Sequence, residues 1–141
     1  MDVSAFTFHH LGVAVKSIAR AIPVYQDLFG YELVSGPFDD AIQCVSVCFL
    51  RRQAPGEIMI ELIAPLGENT PIDRVLSKGG GAYHTCYEVE NLDETLAALK
   101  SKKCILVSGP VPAVAFDNRR IAWLFTPTQQ LVELLEKQAI A

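Results

Sequence analysis

The length, composition and charge of this chain exclude several classes of protein. Its 141 residues fit one compact domain or two small halves that share a core, and half of them are hydrophobic, which is enough for a packed interior. A net charge of −4 without a run rich in Lys and Arg argues against a nucleic-acid partner. The apolar runs are short, and none approaches the roughly 20 residues that a membrane span needs.

The N-terminus and the cysteines favour a cytoplasmic location. The opening residues, Met-Asp-Val-Ser, show no basic region followed by an apolar block, so we expect no signal peptide. Four cysteines are present without a CxxC pair, and we expect them to be reduced, buried, small hydrophobic residues. They are Cys44, Cys48, Cys86 and Cys104.

The predicted elements alternate between strands and helices along the chain. Ser17 is predicted to cap the first helix, and Gly30 to end it. A short helix is predicted to begin at Thr70-Pro71 and to stop at Gly79. A third helix is predicted to begin at the cap Asn91, with Glu94 as the capping partner three positions on. Four segments rich in β-branched, aromatic and aliphatic residues are predicted as strands, namely 42–50, 57–64, 120–126 and 130–136.

An internal duplication organises the chain. From His10 the first half runs through a strand, a helix and a strand to the tripeptide Ser-Gly-Pro, and from His84 the second half repeats this order. Each half then closes on further strands. The sequence therefore predicts an α+β fold of two βαβββ modules, about 6–66 and about 80–137, within a single domain.

Four polar residues lie in strands that otherwise read as apolar. His10 and His84 stand on strand faces lined mainly by small residues, which leave space for a pocket. Glu61 and Glu133 are surrounded by apolar residues, where a buried carboxylate costs several kcal/mol unless a counter-charge or a ligand compensates. A divalent cation would compensate both carboxylates, and nitrogen with oxygen donors suits Zn, Ni, Co, Mn or Fe. The predicted metal ligands are His10, Glu61, His84 and Glu133.

The alternative to a metal site is a structural role for each residue. A lone strand histidine is usually a hydrogen-bonded structural residue, and a lone strand glutamate usually faces water at an edge. The duplication, with a His and a Glu at nearly equal spacing in each half, favours the metal. By contrast, His9 is expected to face away from His10 and to pack or meet solvent, Glu88 and Glu136 to be surface charges, and Cys86 to be a filler.

Two segments carry a resemblance to a known family. The opening, F-H-H-L-G-V-A-V-K-S-I followed by a helix ending in L-F-G-Y, resembles the vicinal-oxygen-chelate superfamily of glyoxalases, bleomycin resistance proteins and dioxygenases. The segment I-E-L-I-A-P-L-G-E-N-T-P-I-D-R-V-L-S-K-G-G-G-A-Y-H is most similar to the methylmalonyl-CoA epimerase family. The resemblance implies the glyoxalase-like fold, in which both modules form a curled eight-stranded mixed sheet. It also implies one divalent metal ion (Co, Ni, Mn or Zn) on the four predicted ligands, and a homodimer.

The resemblance further implies proton transfer α to a carbonyl, with an acyl thioester as the substrate. Glu133 is then a metal ligand that doubles as the base, with Glu61 as the symmetry-related alternative, and Arg119 is a candidate contact for a phosphate or carboxylate of the substrate. The strand from Cys44 to Cys48 offers no further carboxylate, so the identity of the second acid is left open. The sequence also leaves open the acyl group and its carrier (coenzyme A, carrier protein or glutathione).

Three other functions compete with the epimerase. A lactoylglutathione lyase of the glyoxalase I type, acting on a hemithioacetal, shares the same proton abstraction. Extradiol dioxygenases hold Fe(II) with two histidines and one carboxylate, and typically have a histidine where Glu61 stands. Non-catalytic small-molecule-binding resistance proteins often lack the metal ligands, so the intact set of four counts against them.

Overall fold

The computed structural model of this chain describes residues 5–137, which contain eight strands and three α-helices. All four predicted strand segments are confirmed, with ends shifted by a few residues. The strands are Phe6–Ala14 (β1), Glu32–Asp40 (β2), Val45–Arg51 (β3), Met59–Pro65 (β4), Gly81–Val89 (β5), Ile105–Ala113 (β6), Arg119–Phe125 (β7) and Leu131–Glu136 (β8). The helices are Ile18–Phe29 (α1), Asp73–Ser77 (α2) and Leu92–Ser101 (α3).

The strands form a mixed sheet in the order β2-β3-β4-β1-β5-β8-β7-β6. The pairs β1–β4 and β5–β8 are parallel, and the outer pairs of each half are antiparallel. Contacts divide the chain within β1 into a first unit, residues 10–83, and a second unit, which combines the residues before 10 with those from 84 onwards. Within the second unit, Phe6 and Phe8 of β1 lie edge-on against Tyr87 of β5. The predicted fold class, two βαβββ modules of an eight-stranded mixed sheet, is confirmed.

Helix α1 covers one face of the first unit. Ser17 Oγ accepts a hydrogen bond from the backbone N–H of Arg20 at 3.3 Å, and Gly30 ends the helix in the left-handed conformation with a φ of 75°. Both predicted helix ends are therefore confirmed. Because side chains alternate across a strand, this packing leaves His10 on the opposite face of β1. The helix residues Ile18, Ala21, Ile22 and Tyr25 pack in one cluster with Leu11, Val13, Val15 and Leu62.

Helix α3 repeats this arrangement in the second unit. Asn91 Oδ1 accepts the backbone N–H of Glu94 at 3.0 Å, which confirms the predicted cap. The apolar side chains of the helix then cover the face of β5 opposite His84. The cluster contains Leu92, Leu96 and Leu99 with Tyr87, Val89, Leu124 and Leu134.

The short helix α2 begins later and ends earlier than its sequence signals predict. The backbone N–H of Thr70 donates to the carboxylate of Asp73 at 3.0 Å, so the segment from Thr70 forms a turn before helical hydrogen bonding begins. Among the described residues, no helix is both long and apolar enough to cross a membrane.

The repeated Ser-Gly-Pro tripeptides mark two close approaches between strands. Gly36 in β2 and Gly109 in β6 both have positive φ angles, 90° and 91°, and each precedes a cis proline. A Cβ atom on Gly109 would lie 2.6 Å from the carbonyl oxygen of Ile121 in β7, and one on Gly36 would lie 2.9 Å from that of Val47 in β3. Glycine is therefore required for these strands to pair this closely.

Candidate metal centre

The first unit brings together His10 and Glu61. Parallel pairing of β1 with β4 sets Gly12 opposite Glu61, and His10 lies two residues before Gly12 on the same face. Gly12 carries no side chain, so the imidazole and the carboxylate meet diagonally across it. The distance between His10 Nε2 and Glu61 Oε1 is 3.2 Å, and the two residues are 0% and 5% exposed.

The second unit brings together His84 and Glu133 in the same way. Parallel pairing of β5 with β8 sets Cys86 opposite Glu133, with His84 two residues before it. The distance between His84 Nε2 and Glu133 Oε1 is 3.4 Å, and the residues are 3% and 2% exposed. Cys86 is fully buried, and its role as a small filler stays a prediction.

An aromatic ring lies beside each His–Glu pair, and no pattern in the sequence identified either ring as part of a site. Phe49 of β3 lies directly opposite Glu61, and its ring centroid is 5.4 Å from that of His10. Trp123 of β7 lies directly opposite Glu133, and its centroid is 4.7 Å from that of His84. Both contacts are edge-to-face, with interplanar angles of 69° and 81°. Only the antiparallel registers, β3 with β4 and β7 with β8, identify these residues.

The donor set of each pair fits a divalent metal ion. Imidazole nitrogen and carboxylate oxygen each bind Zn²⁺ at about 2.0–2.2 Å, so two ligand atoms of one ion lie about 2.8–3.1 Å apart at octahedral angles and about 3.3–3.6 Å apart at tetrahedral angles. The separations of 3.2 Å and 3.4 Å lie within the range that these two geometries span. Burial also removes water from around the carboxylates, so an ionised carboxylate here needs a positive charge close to it, which a divalent metal ion can supply.

None of the four cysteines, which all lie within the described residues, forms a disulfide, and the burial of two of them differs from the prediction. Cys48 and Cys86 are buried as expected, whereas Cys44 and Cys104 are only partly buried. Burial raises the pKa of the Cys48 thiol to about 11, and the nearby negative charge of Glu61 acts in the same direction. Cys48 is therefore a neutral thiol at physiological pH rather than a thiolate ligand.

Two arginines give Glu88 and Glu136 a setting that differs from the predicted surface charges. Arg119 Nη1 donates to Glu88 Oε2 at 2.8 Å, and Arg120 Nη2 donates to Glu136 Oε2 at the same distance. The hydrogen bond from Arg120 holds the pKa of Glu136 below its usual range. Both glutamates are half-buried and form ion pairs. The sequence did not indicate these pairs, because the arginine partners are distant along the chain.

Arg119 and His9 share a neighbour in Phe116. The Arg119 guanidinium lies over the Phe116 ring, with its Cζ 5.6 Å from the centroid, and its Nε donates to the Phe116 carbonyl oxygen at 3.3 Å. The ring of His9 meets Phe116 edge-on at 5.3 Å. His9 therefore packs against an aromatic ring, one of the two outcomes predicted for it.

The sequence of this chain matches a known superfamily and several epimerases. Residues 9–123 match the family described as the Glyoxalase/Bleomycin resistance protein/Dioxygenase superfamily. The ethylmalonyl-CoA/methylmalonyl-CoA epimerase of Cereibacter sphaeroides is 30% identical over 118 residues, covering 82% of this chain and 85% of that protein. The mitochondrial methylmalonyl-CoA epimerase of Bos taurus is 35% identical over 102 residues, covering 71% of this chain and 56% of the bovine protein.

A solved structure agrees with these matches. The crystal structure of methylmalonyl-CoA epimerase from Mycobacterium tuberculosis superposes with a TM-score of 0.81 at 30% identity, covering 99% of this chain and 93% of that one. The resemblance inferred from the two sequence segments is confirmed. This chain belongs to the glyoxalase/bleomycin resistance protein/dioxygenase superfamily.

Proposed function

We propose that this chain is an epimerase that moves a proton α to the carbonyl of an acyl-CoA thioester, because its relatives include epimerases of methylmalonyl-CoA and ethylmalonyl-CoA. The observation that carries the proposal is the duplicated contact between a buried imidazole and a buried carboxylate, His10 with Glu61 and His84 with Glu133. Such donors suit metal-assisted proton transfer. The lactoylglutathione lyase reaction is the less favoured alternative, because several of the matched relatives are epimerases.

One divalent metal ion is assigned to both pairs together. Each pair supplies two ligands, whereas metal sites of this kind use three or four protein ligands. The equivalence of the two halves supports one joint set of His10, Glu61, His84 and Glu133 over two separate sites. When bound, Co, Ni, Mn or Zn would supply a Lewis acid that stabilises negative charge on the carbonyl oxygen of the substrate.

Glu133 is the proposed base. Proton abstraction needs a carboxylate held at a fixed place within hydrogen-bond reach of the carbon acid. The contact with His84 holds Glu133 Oε1 in position, and the residue is almost fully buried, which keeps the carboxylate in a fixed place. Glu61 has the same setting in the first unit and is the alternative base. Epimerisation is complete when the proton returns to the opposite face of the carbon.

Arg119 stays a proposed contact for an anionic group of the substrate. Its guanidinium is already paired with Glu88, so an incoming carboxylate or phosphate would have to share or replace that partner. Arg119→Met should therefore raise KM for an acyl-CoA substrate while leaving metal stoichiometry unchanged. An unchanged KM would remove Arg119 from the binding site.

Two further assignments accompany the proposed activity. We propose a homodimer, which light scattering of the purified protein at several concentrations tests. We also propose a cytoplasmic location, which fractionation of cells that produce the protein tests.

The decisive experiment measures proton exchange directly. The apo-protein is loaded with Co, Ni, Mn or Zn, and deuterium exchange at C2 of methylmalonyl-CoA is followed beside isomerisation of the methylglyoxal–glutathione hemithioacetal. Exchange without hemithioacetal turnover is expected. Turnover of the hemithioacetal alone would replace the proposal by the lyase, and no reaction with any metal would refute both.

Matched variants test the ligand assignment. His84→Ala and Glu61→Gln should each lower the amount of metal bound, because each removes a donor from the set. Thr85→Ala is the control, since Thr85 neighbours His84 in sequence but projects from the opposite face of β5. Full metal occupancy in both ligand variants would contradict the assignment.

A further inference from the structure

Each His–Glu pair is part of a larger repeated group that includes an aromatic ring. In the first unit, strand pairing places Phe49 directly opposite Glu61, and Glu61 directly opposite the glycine that follows His10 by two residues. Cross-strand neighbours project from the same face of a sheet, so His10, Glu61 and Phe49 share one face. The register of β5, β8 and β7 relates His84, Glu133 and Trp123 in the same way.

We infer that Phe49 and Trp123 are equivalent positioning residues, each holding a metal-binding imidazole with its Nε2 toward the carboxylate of the pair, and that Trp123 reports whether the metal is bound. The inference rests on the proposed metal site and deepens it. In each unit the aromatic ring contacts the imidazole edge-to-face, while the imidazole Nε2 contacts a carboxylate oxygen. The ring therefore packs against the imidazole while Nε2 stays directed at the carboxylate.

The physical basis is the orientation of the imidazole. A histidine side chain can rotate about its Cβ–Cγ bond, and rotation would carry Nε2 away from the carboxylate. An edge-to-face neighbour at 4.7–5.4 Å between centroids leaves little room for such rotation. Ligands held in place before the metal arrives bind it more tightly, because less conformational freedom is lost on binding.

Only one of the two rings can serve as a reporter, because Phe49 carries no indole and Trp123 does. Phe49 is 2% exposed, whereas Trp123 is half-buried. Trp123 is also the single tryptophan of the chain, so indole emission has one source. Its contact with His84 would place a cobalt ion bound to that imidazole close to the indole. Co²⁺ quenches indole emission at short range, whereas Zn²⁺, with a filled d shell, does not quench in this way.

The test is a cobalt titration of the full-length apo-protein followed by indole emission and, independently, by calorimetry. We expect saturable quenching at one equivalent of Co²⁺ per chain and recovery of emission when Zn²⁺ displaces it. Phe49→Leu and Trp123→Leu should each weaken cobalt binding about tenfold, the scale found when groups that orient metal ligands are altered. Trp123→Phe should restore wild-type affinity, since an aromatic edge remains against His84.

Control variants separate positioning from a general loss of stability. Leu50 and Leu124 are each the next residue along the same strands, but they face the helix side and belong to the apolar clusters. Leu50→Ala and Leu124→Ala should lower the melting temperature while leaving cobalt affinity of the folded protein unchanged. If the rings had only a structural role, cobalt affinity would instead fall together with the melting temperature in all of these variants.

The outcomes distinguish this inference from the proposed function. If the wild-type protein binds cobalt and exchanges the substrate proton, but both leucine variants bind cobalt as tightly as the wild type, the positioning role is overturned alone. Cobalt binding that leaves indole emission unchanged overturns the reporter role of Trp123. If calorimetry detects no metal binding by the wild-type protein, the inference and the metal-dependent function fall together.

Discussion

Replacing Gly109 by alanine tests the close approach of β6 to β7. The added Cβ would lie 2.6 Å from the Ile121 carbonyl oxygen and 2.9 Å from Ala122 Cα, both of which are backbone atoms that cannot rotate away. The φ of 91° is also unfavourable for alanine. Since Ile121 and Ala122 immediately precede Trp123, a displaced β7 would move the aromatic ring that contacts His84.

The magnitude has two parts. A left-handed backbone costs an L-residue roughly 1–2 kcal/mol. Forcing a methyl group into a closely packed place costs about 1–3 kcal/mol more. Gly109→Ala should therefore lower the free energy of unfolding by roughly 2–5 kcal/mol, a large share of the ~5–15 kcal/mol typical of a folded domain.

Gly56→Ala is the matched control. Gly56 has a φ of 75°, but a Cβ there would meet no atom within 4 Å. This variant carries the backbone cost without the clash, so the difference between the two variants isolates the close approach. Urea unfolding of both variants and the wild type, with equal m-values, measures this difference.

We expect Gly109→Ala to be less stable than Gly56→Ala by about 1–3 kcal/mol and to bind cobalt more weakly. Gly36→Ala, in the equivalent place of the first unit, should behave like Gly109→Ala. Equal destabilisation of Gly109→Ala and Gly56→Ala would refute the reasoning, because the strand contact would then contribute nothing beyond the backbone conformation.

Three further predictions concern the site and the pH dependence of stability. Glu133→Gln should lower kcat at saturating metal by about 10²–10⁴-fold, the usual contribution of a general base. Glu61→Gln should mainly weaken metal binding. Equal losses of kcat for the two variants in steady-state kinetics would contradict this assignment. Removing the metal with a chelator should abolish substrate deuterium exchange, and added Co²⁺ should restore it; exchange that survives chelation would exclude metal dependence. The hydrogen bond from Arg120 lowers the pKa of Glu136 in the folded state. The stability that this ion pair contributes is therefore present above the pKa of Glu136 in the unfolded state. It is lost as the pH falls through the lowered pKa of the folded state. Glu136→Gln should therefore flatten the acid side of the stability–pH curve in thermal unfolding, and an unchanged acid slope would show that the ion pair contributes no pH-dependent stability.

The sequence by itself determined the features that depend on local order. Ser17, Gly30 and Asn91 mark helix ends because caps act on backbone groups only a few residues away. Alternation along β1 and β5 assigned the faces of His10 and His84, since successive side chains of any strand point to opposite sides. The internal repeat then identified an equivalent glutamate in each half without knowledge of strand pairing.

Only the tertiary structure decided which distant residues meet. Register places Glu61 diagonal to His10. It also sets Phe49 and Trp123 against the two imidazoles. It also turns Glu88 from an expected surface charge into the partner of Arg119, 31 residues along the chain. These contacts join separate strands, and hydrogen-bond register between strands depends on the packing of the whole sheet rather than on any short stretch of sequence.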